Sequence, residues 1–182
     1  MKKFIISLAL ALVTVFTFAQ TSKVLRPRLE IAEVTSEENN IDLEIFYMDD
    51  ENPRTYYLSL GNLGIGGGIV QIDIDPIFEL FIPLGGTLEE AQAKMEEIKA
   101  FYKLPKRSQA EIQGCFAAVY PTEELIPVTV TSRRFLFSKV LEFSIPTPGS
   151  ETVVRATHVS KSNFSGLLGS LKIYRKLHPK QQ

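Results

Sequence analysis

Along most of the chain, apolar residues fall at every second position, the spacing of a strand with one face buried. Leu29 and Ile31 alternate with Arg28, Glu30 and Ala32. After the polar cluster Ser36-Glu37-Glu38-Asn39-Asn40, Ile41, Leu43 and Ile45 alternate with Asp42 and Glu44. The two runs predict a β-hairpin. Asp49-Asp50-Glu51-Asn52-Pro53 marks a second turn, after which Tyr56, Leu58 and Leu60 extend the meander by one strand. Beyond the glycine-rich segment from Gly61 to Gly68, Val70, Ile72 and Ile74 share one face of a further strand interrupted by Pro76. An extended run from Ile77 to Ile82 stops at Pro83-Leu84-Gly85-Gly86.

The period then changes. Thr87 and Glu90 have the spacing of a capping box, in which hydroxyl and carboxylate each accept an orphan backbone N–H. Leu88, Ala91, Met95, Ile98 and Tyr102 follow at helical spacing, and Pro105 closes the segment. Glu89 and Glu90 come early and Lys99 and Lys103 late, as the helix dipole favours. Strands resume with Ala110 to Tyr120, from Val128 and Val130, through Phe135, Phe137, Leu141, Phe143 and Ile145, and from Val153 to Val159. Ser162 opens a weaker helix carrying Phe164, Leu167, Leu168, Leu171 and Tyr174, in which Gly166 and Gly169 lower the propensity.

Strands in runs with few helices predict an α+β fold: a largely antiparallel sheet, meander or sandwich-like, with a helix over about 87–103 packed on it and a C-terminal helix. The 182 residues suit one domain, 45% hydrophobic, with no repeat and a formal net charge of -1. Disorder and a disulfide scaffold are excluded, the first by the apolar fraction and the second by a single cysteine, Cys115.

The opening residues read as a secretory signal peptide, 1–19: Met1-Lys2-Lys3, an apolar run from Phe4 to Ala19, and Thr17 and Ala19 at the −3 and −1 positions before Gln20. The run is shorter than a membrane span, and no cysteine follows it to be acylated. The expected product is a single domain, 20–182, without a transmembrane segment, in the periplasm or outside the cell, with a basic C-terminal tail. The Lys-Lys opening and the Ala-Gln junction ahead of a small β-rich domain resemble exported proteins of Bacteroidetes bacteria.

Chemistry-bearing motifs are sparse. Gly64-x-Gly66 lacks the third glycine of a dinucleotide fingerprint, since position 69 is isoleucine, and it leads into a strand where phosphate binding needs a helix N-terminus. The segment reads as a hairpin loop or bulge. Asp73, Asp75 and Glu79 read as a solvated strand face and Asp49-Asp50-Glu51 as a turn, so no metal or other cofactor is expected. The two histidines are His158 and His178. A small hydrolase using His158 with Cys115 or a serine is one alternative, and a carrier of an apolar ligand between sheet and helix is another. No catalytic residues are assigned.

Charge is segregated. Gln20 to Glu90 carries 4 basic and 14 acidic residues, and Ala91 to Gln182 carries 14 basic and 7 acidic. The halves are expected either to pair within one fold or to present one sign to a partner. A pI near 6.2 and the absence of a basic–aromatic recognition motif exclude nucleic acid. The leading expectation is an exported, non-enzymatic binding or structural domain whose partner is a protein, a glycan or an envelope component. Its candidate contact residues are Tyr56 and Tyr57 as an aromatic ledge, Gly66 and Gly67 in the glycine loop, and the basic stretch of Lys172, Arg175 and Lys176.

Overall fold

The computed structural model describes residues 27–36, 41–61, 64–65, 79–119, 122–135, 137–146 and 154–179. The signal segment, Gly66, Gly67 and the strand expected over 69–75 lie outside the described residues. The remainder is an α+β fold, as the patterning predicts. The strands are β1 (Arg28–Ser36), β2 (Ile41–Met48), β3 (Tyr56–Leu60), β4 (Gly64–Ile65), β5 (Glu79–Gly85), β6 (Gln109–Val119), β7 (Thr122–Phe135), β8 (Ser138–Pro146) and β9 (Val154–Ser160). Helix α1 (Leu88–Ala100) continues into a 3-10 turn at Phe101–Lys103, and α2 (Lys161–Leu177) follows β9.

All nine strands belong to one antiparallel sheet, ordered β1-β2-β3-β5-β6-β7-β8-β9-β4. Apart from β4, each strand lies beside its neighbour in sequence, so the topology is a meander. Of the glycine segment, the described residues Gly64 and Ile65 form β4, a short outer strand pairing Gly64 with Ala156 and Ile65 with Arg155.

The register of β1 departs from simple alternation. Glu30 pairs with Phe46 and Ala32 with Ile45, so Ile31 is an extra residue in a bulge. The buried set therefore passes to Ala32, while Leu29 stays 42% exposed. Two prolines that look like strand breakers lie inside strands. Pro83 is in β5 beyond Phe81, the last residue of β5 paired with β6. Pro127 lies opposite a bulge between Ile112 and Cys115 and before the β7–β8 ladder begins at Thr129. At both places one side of the strand makes no ladder demand on the missing N–H. The β6 bulge contains Gly114 at φ 73°, a conformation that favours glycine.

The capping box forms. Glu90 N donates to Thr87 Oγ1 at 3.2 Å, and Glu90 Oε2 accepts from Thr87 N at 3.2 Å and from Gly86 N at 2.7 Å. Gly85 makes this turn possible: at φ 124° any Cβ would stand 2.5 Å from Glu90 Cβ. In α2 the cap is Ser160 rather than Ser162, accepting from Asn163 N at 3.1 Å. Despite Gly166 and Gly169 the helix runs for 17 residues, because Phe164, Leu167, Leu168 and Leu171 are buried and packing outweighs propensity.

Both helices lie on one face of the sheet. Leu88, Ala91, Met95 and Ile98 of α1 join the α2 residues and the inward strand residues Leu43, Ile45, Leu58, Leu80, Ile82 and Phe143 in the main core. Each of the leucine, isoleucine, methionine and phenylalanine side chains contributes about 1.5–3 kcal/mol by leaving water. Tyr102 locks the 3-10 turn to the start of α2, donating to Val159 O at 2.9 Å or Ser160 O at 3.1 Å, and burial pushes its phenol far up. The other face carries a second cluster of Phe46, Met48, Tyr57, Phe81 and Phe116. Arg28 lies over the Phe46 and Phe81 rings, 4.8 and 5.0 Å from their centroids.

Candidate functional site

Three polar centres emerge from this frame, and one of them is an open cleft. The first is the ion cluster at the aromatic face. Arg28 Nη2 reaches Glu79 Oε2 at 2.5 Å, and Nη1 reaches Glu44 Oε2 at 3.2 Å. Burial, joined by the nearby Glu30 and Glu79 carboxylates, holds the Glu44 pKa above its ordinary value despite Arg28. Burial also opposes the Arg28 charge, but bonding to Glu79 and Glu44 outweighs it and holds the guanidinium ionised. Glu79 is thus a structural counter-ion, and Asp73 and Asp75, its expected companions, lie outside the described residues. Among the described residues no group of His, Cys, Asp and Glu is arranged to hold a metal.

The second centre crosses the outer face of β6 to β9. Cross-strand register aligns Gln109, Thr131, Glu142 and His158 in one row. Glu142 Oε1 accepts from Arg133 Nη2 at 2.8 Å and Nε at 3.1 Å, and its Oε2 lies 3.0 Å from His158 Nε2. Cys115 belongs instead to the core beneath the helices, whereas His158 shares the outer face with Glu142. The sheet therefore separates this expected nucleophile–base pair. Burial pushes the Cys115 thiol up to about 12, and the side chain is a packed hydrophobe rather than a thiolate. The space expected for an apolar cargo under α1 is occupied by Leu88, Ala91, Met95 and Ile98, each at most 1% exposed.

The third centre is the cleft. After the 3-10 turn, Leu104-Pro105-Lys106-Arg107 reverses the chain, with Arg107 at φ 71°, a left-handed conformation rare outside glycine. Backbone bonds hold it there: Arg107 N donates to Ser132 O at 2.8 Å, Ser132 N to Ser108 O at 2.9 Å, and Ser108 N to Pro105 O at 3.1 Å. The turn is thereby pinned to the end of β7. Lys103 and Lys106 are brought against Arg133, Arg134 and Lys139 around a cavity of about 360 Å³, with Leu104 contributing an apolar wall. Five of the eight lining residues are cationic and none is acidic. Arg133 is tied to Glu142, whereas Lys103, Lys106, Arg134 and Lys139 make no ion pair among the described residues.

The expected contact residues fare differently. Tyr56 and Tyr57 are 1% and 3% exposed, so they form no ledge. Tyr56 packs edge-on to Tyr47 in the main core, and Tyr57 stacks on Phe46 and donates its hydroxyl to Glu51 Oε1 at 2.8 Å. In the basic stretch, Lys172 pairs with Glu96 at 2.7 Å and Arg175 with Glu89 at 3.4 Å, both across to α1. The Lys172 ammonium holds the Glu96 carboxyl below its ordinary range. Lys176 is exposed. Arg28 with Glu44 and Glu79, and Lys172 and Arg175 with α1, show charges neutralised inside the fold, while Lys103, Lys106, Arg134 and Lys139 gather around one cleft. Arg133-Arg134 and Lys139, flanking Phe135-Leu136-Phe137, were the signal for it, together with Lys103 and Lys106 around Pro105.

No helix among the described residues is long and apolar enough to cross a membrane. No protein-family model, curated protein or solved structure matches the chain. What the architecture defines is a meandering antiparallel sheet, backed on one face by two helices, with a basic cleft at the β7–β8 end.

Proposed function

We propose that this chain is an exported, non-enzymatic binding domain that acts in the periplasm or cell envelope by engaging an acidic partner at the basic cleft. The observation that carries the reading is the gathering of Lys103, Lys106, Arg134 and Lys139 around one cavity lined by no carboxylate. Such a concentration of like charge opposes folding unless it is compensated, and it attracts anions over roughly a Debye length. The backbone bonds at Arg107 and Ser132 hold two separate chain segments together there, so the charge is displayed on a fixed frame. The opening signal-like segment supports export. The partner is an acidic protein, a glycan or an envelope component.

Two measurements test this reading. The intact mass of the chain recovered from an exporting host is expected to begin at Gln20, and a mass that includes Met1 to Ala19 contradicts export. The processed chain is expected to be retained at low salt on an acidic matrix, either immobilised polygalacturonate or phosphatidylglycerol vesicles, and released by K103E/K139E. Retention on neither matrix, or retention indifferent to the double charge reversal, overturns the cleft as the binding surface.

A further inference from the structure

The cleft does not end at its cations. The β7–β8 hairpin that supplies Arg133, Arg134 and Lys139 turns between Phe135 and Ser138, which pair with each other. At that turn Phe137 is 99% exposed. Among the large hydrophobic residues described as exposed, the next is Leu125 at 78%, and the others range from 38% to 71%. Leu104, on the cavity wall, is itself 38% exposed. An aromatic ring held wholly in water at a hairpin tip gains nothing from the fold. It leaves water favourably wherever an apolar phase receives it.

We infer that this corner is a membrane-surface anchor: Phe137 enters the interfacial region of an anionic phospholipid bilayer while Lys103, Lys106, Arg134 and Lys139 meet the lipid phosphates. The inference rests on the acidic-partner reading and names the partner as a lipid surface. The cations and the exposed ring select that occupant together. A soluble acidic ligand would use the cations and the cavity but would leave a fully exposed ring at the tip unexplained. A bilayer uses both, since peripheral anchoring combines a buried apolar group with basic side chains at the headgroups. The apolar element is small, so binding should depend on both contributions and remain reversible. Because the cations lie outside the hydrocarbon, high salt should release the protein.

The chain contains no tryptophan, so F137W places a single reporter at the tip. The processed F137W protein is mixed with vesicles of phosphatidylglycerol in phosphatidylcholine, and in parallel with phosphatidylcholine alone. The expected result is a blue-shifted emission with the anionic vesicles only, reversed by high salt. In sedimentation with the same vesicles, F137S is expected to weaken partitioning about tenfold or more. Neutralising one lysine, as in K106Q or K139Q, should weaken it about fivefold. Circular dichroism and thermal unfolding of F137S should match the wild type, because the side chain touches nothing it would leave unfilled. Unshifted F137W emission, or F137S sedimenting like the wild type, overturns the anchor. If the protein ignores vesicles yet is held on polygalacturonate through Lys103 and Lys139, the membrane inference fails and the acidic-partner reading stands. If it binds neither, both fail.

Discussion

Glu142 joins the polar row on the outer face to the cleft, and replacing it by glutamine separates its two effects. Its carboxylate takes two bonds from Arg133, at 2.8 and 3.1 Å, and meets His158 Nε2 at 3.0 Å. The Glu142 side chain is only 12% exposed, but that of Arg133 is 41% exposed, so water already competes for the guanidinium. A charge-assisted bond in a sheltered place contributes about 1.5–3 kcal/mol, and exposed pairs much less. Glutamine keeps one carbonyl acceptor for Arg133 and loses the charge. E142Q should therefore destabilise the fold by about 1–2 kcal/mol. The same change removes the negative charge that partly offsets the cleft, so affinity for anionic vesicles should rise by about fivefold. Urea unfolding and vesicle sedimentation on one preparation read both quantities. A folded E142Q protein that binds anionic vesicles no better than the wild type refutes the reasoning that Glu142 tempers the charge of the cleft. Unchanged stability refutes the reasoning that its carboxylate anchors the row.

Three further outcomes follow from the geometry. G169A should stabilise the fold by about 0.5–1 kcal/mol in urea unfolding, because the added Cβ would meet nothing within 4 Å in the interior of α2, and a loss would contradict that open setting. Cys115, buried and with its thiol pushed up to about 12, should react with a thiol reagent only on unfolding, so rapid labelling of the native protein contradicts its place in the core. Burial raises the Glu44 pKa in the folded state, so the folded chain binds that proton more tightly than the unfolded chain and stability falls as pH rises from about 4.3 through the folded value. E44Q removes that fall, and relative to the wild type it should compare better at pH 7 than at pH 4 in parallel urea titrations; the opposite order contradicts the sign.

The elements most legible in the sequence were those specified by local chemistry. The β1–β2 hairpin follows from alternation around a polar turn. Helix α1 follows from Thr87 and Glu90, whose reciprocal bonds form as their spacing predicts. The misread features depend on neighbours distant in the chain. Nothing local announces that Ile31 is a bulge or that β5 runs on through Pro83, because both are settled by the partner strands. The C-terminal helix looked weak through its glycines, yet four buried side chains against the sheet support it. The same contrast governs the site. Tyr56-Tyr57 looked like a ledge because aromatic residues beside a glycine loop suit one, but consecutive strand residues face opposite sides, and in this sheet both sides at that point are covered. Lys172 and Arg175 looked like an open basic patch because their partners on α1 are some eighty residues away, as the 83-residue separation of Arg175 and Gln92 illustrates. The cleft draws on residues 103–106 and on 132–134 with Lys139, two parts of the chain joined only when it folds.

The central claim is that the basic β7–β8 corner, and not the C-terminal helix, is the surface that meets the partner. The most direct measurement is an amide chemical-shift map of the isotopically labelled, processed chain titrated with small bicelles containing phosphatidylglycerol. The account predicts shifts concentrated at 103–107, 132–134 and 137–139, with Lys172 to Lys176 little changed. Shifts centred on α2, or spread evenly over the sheet, would contradict it.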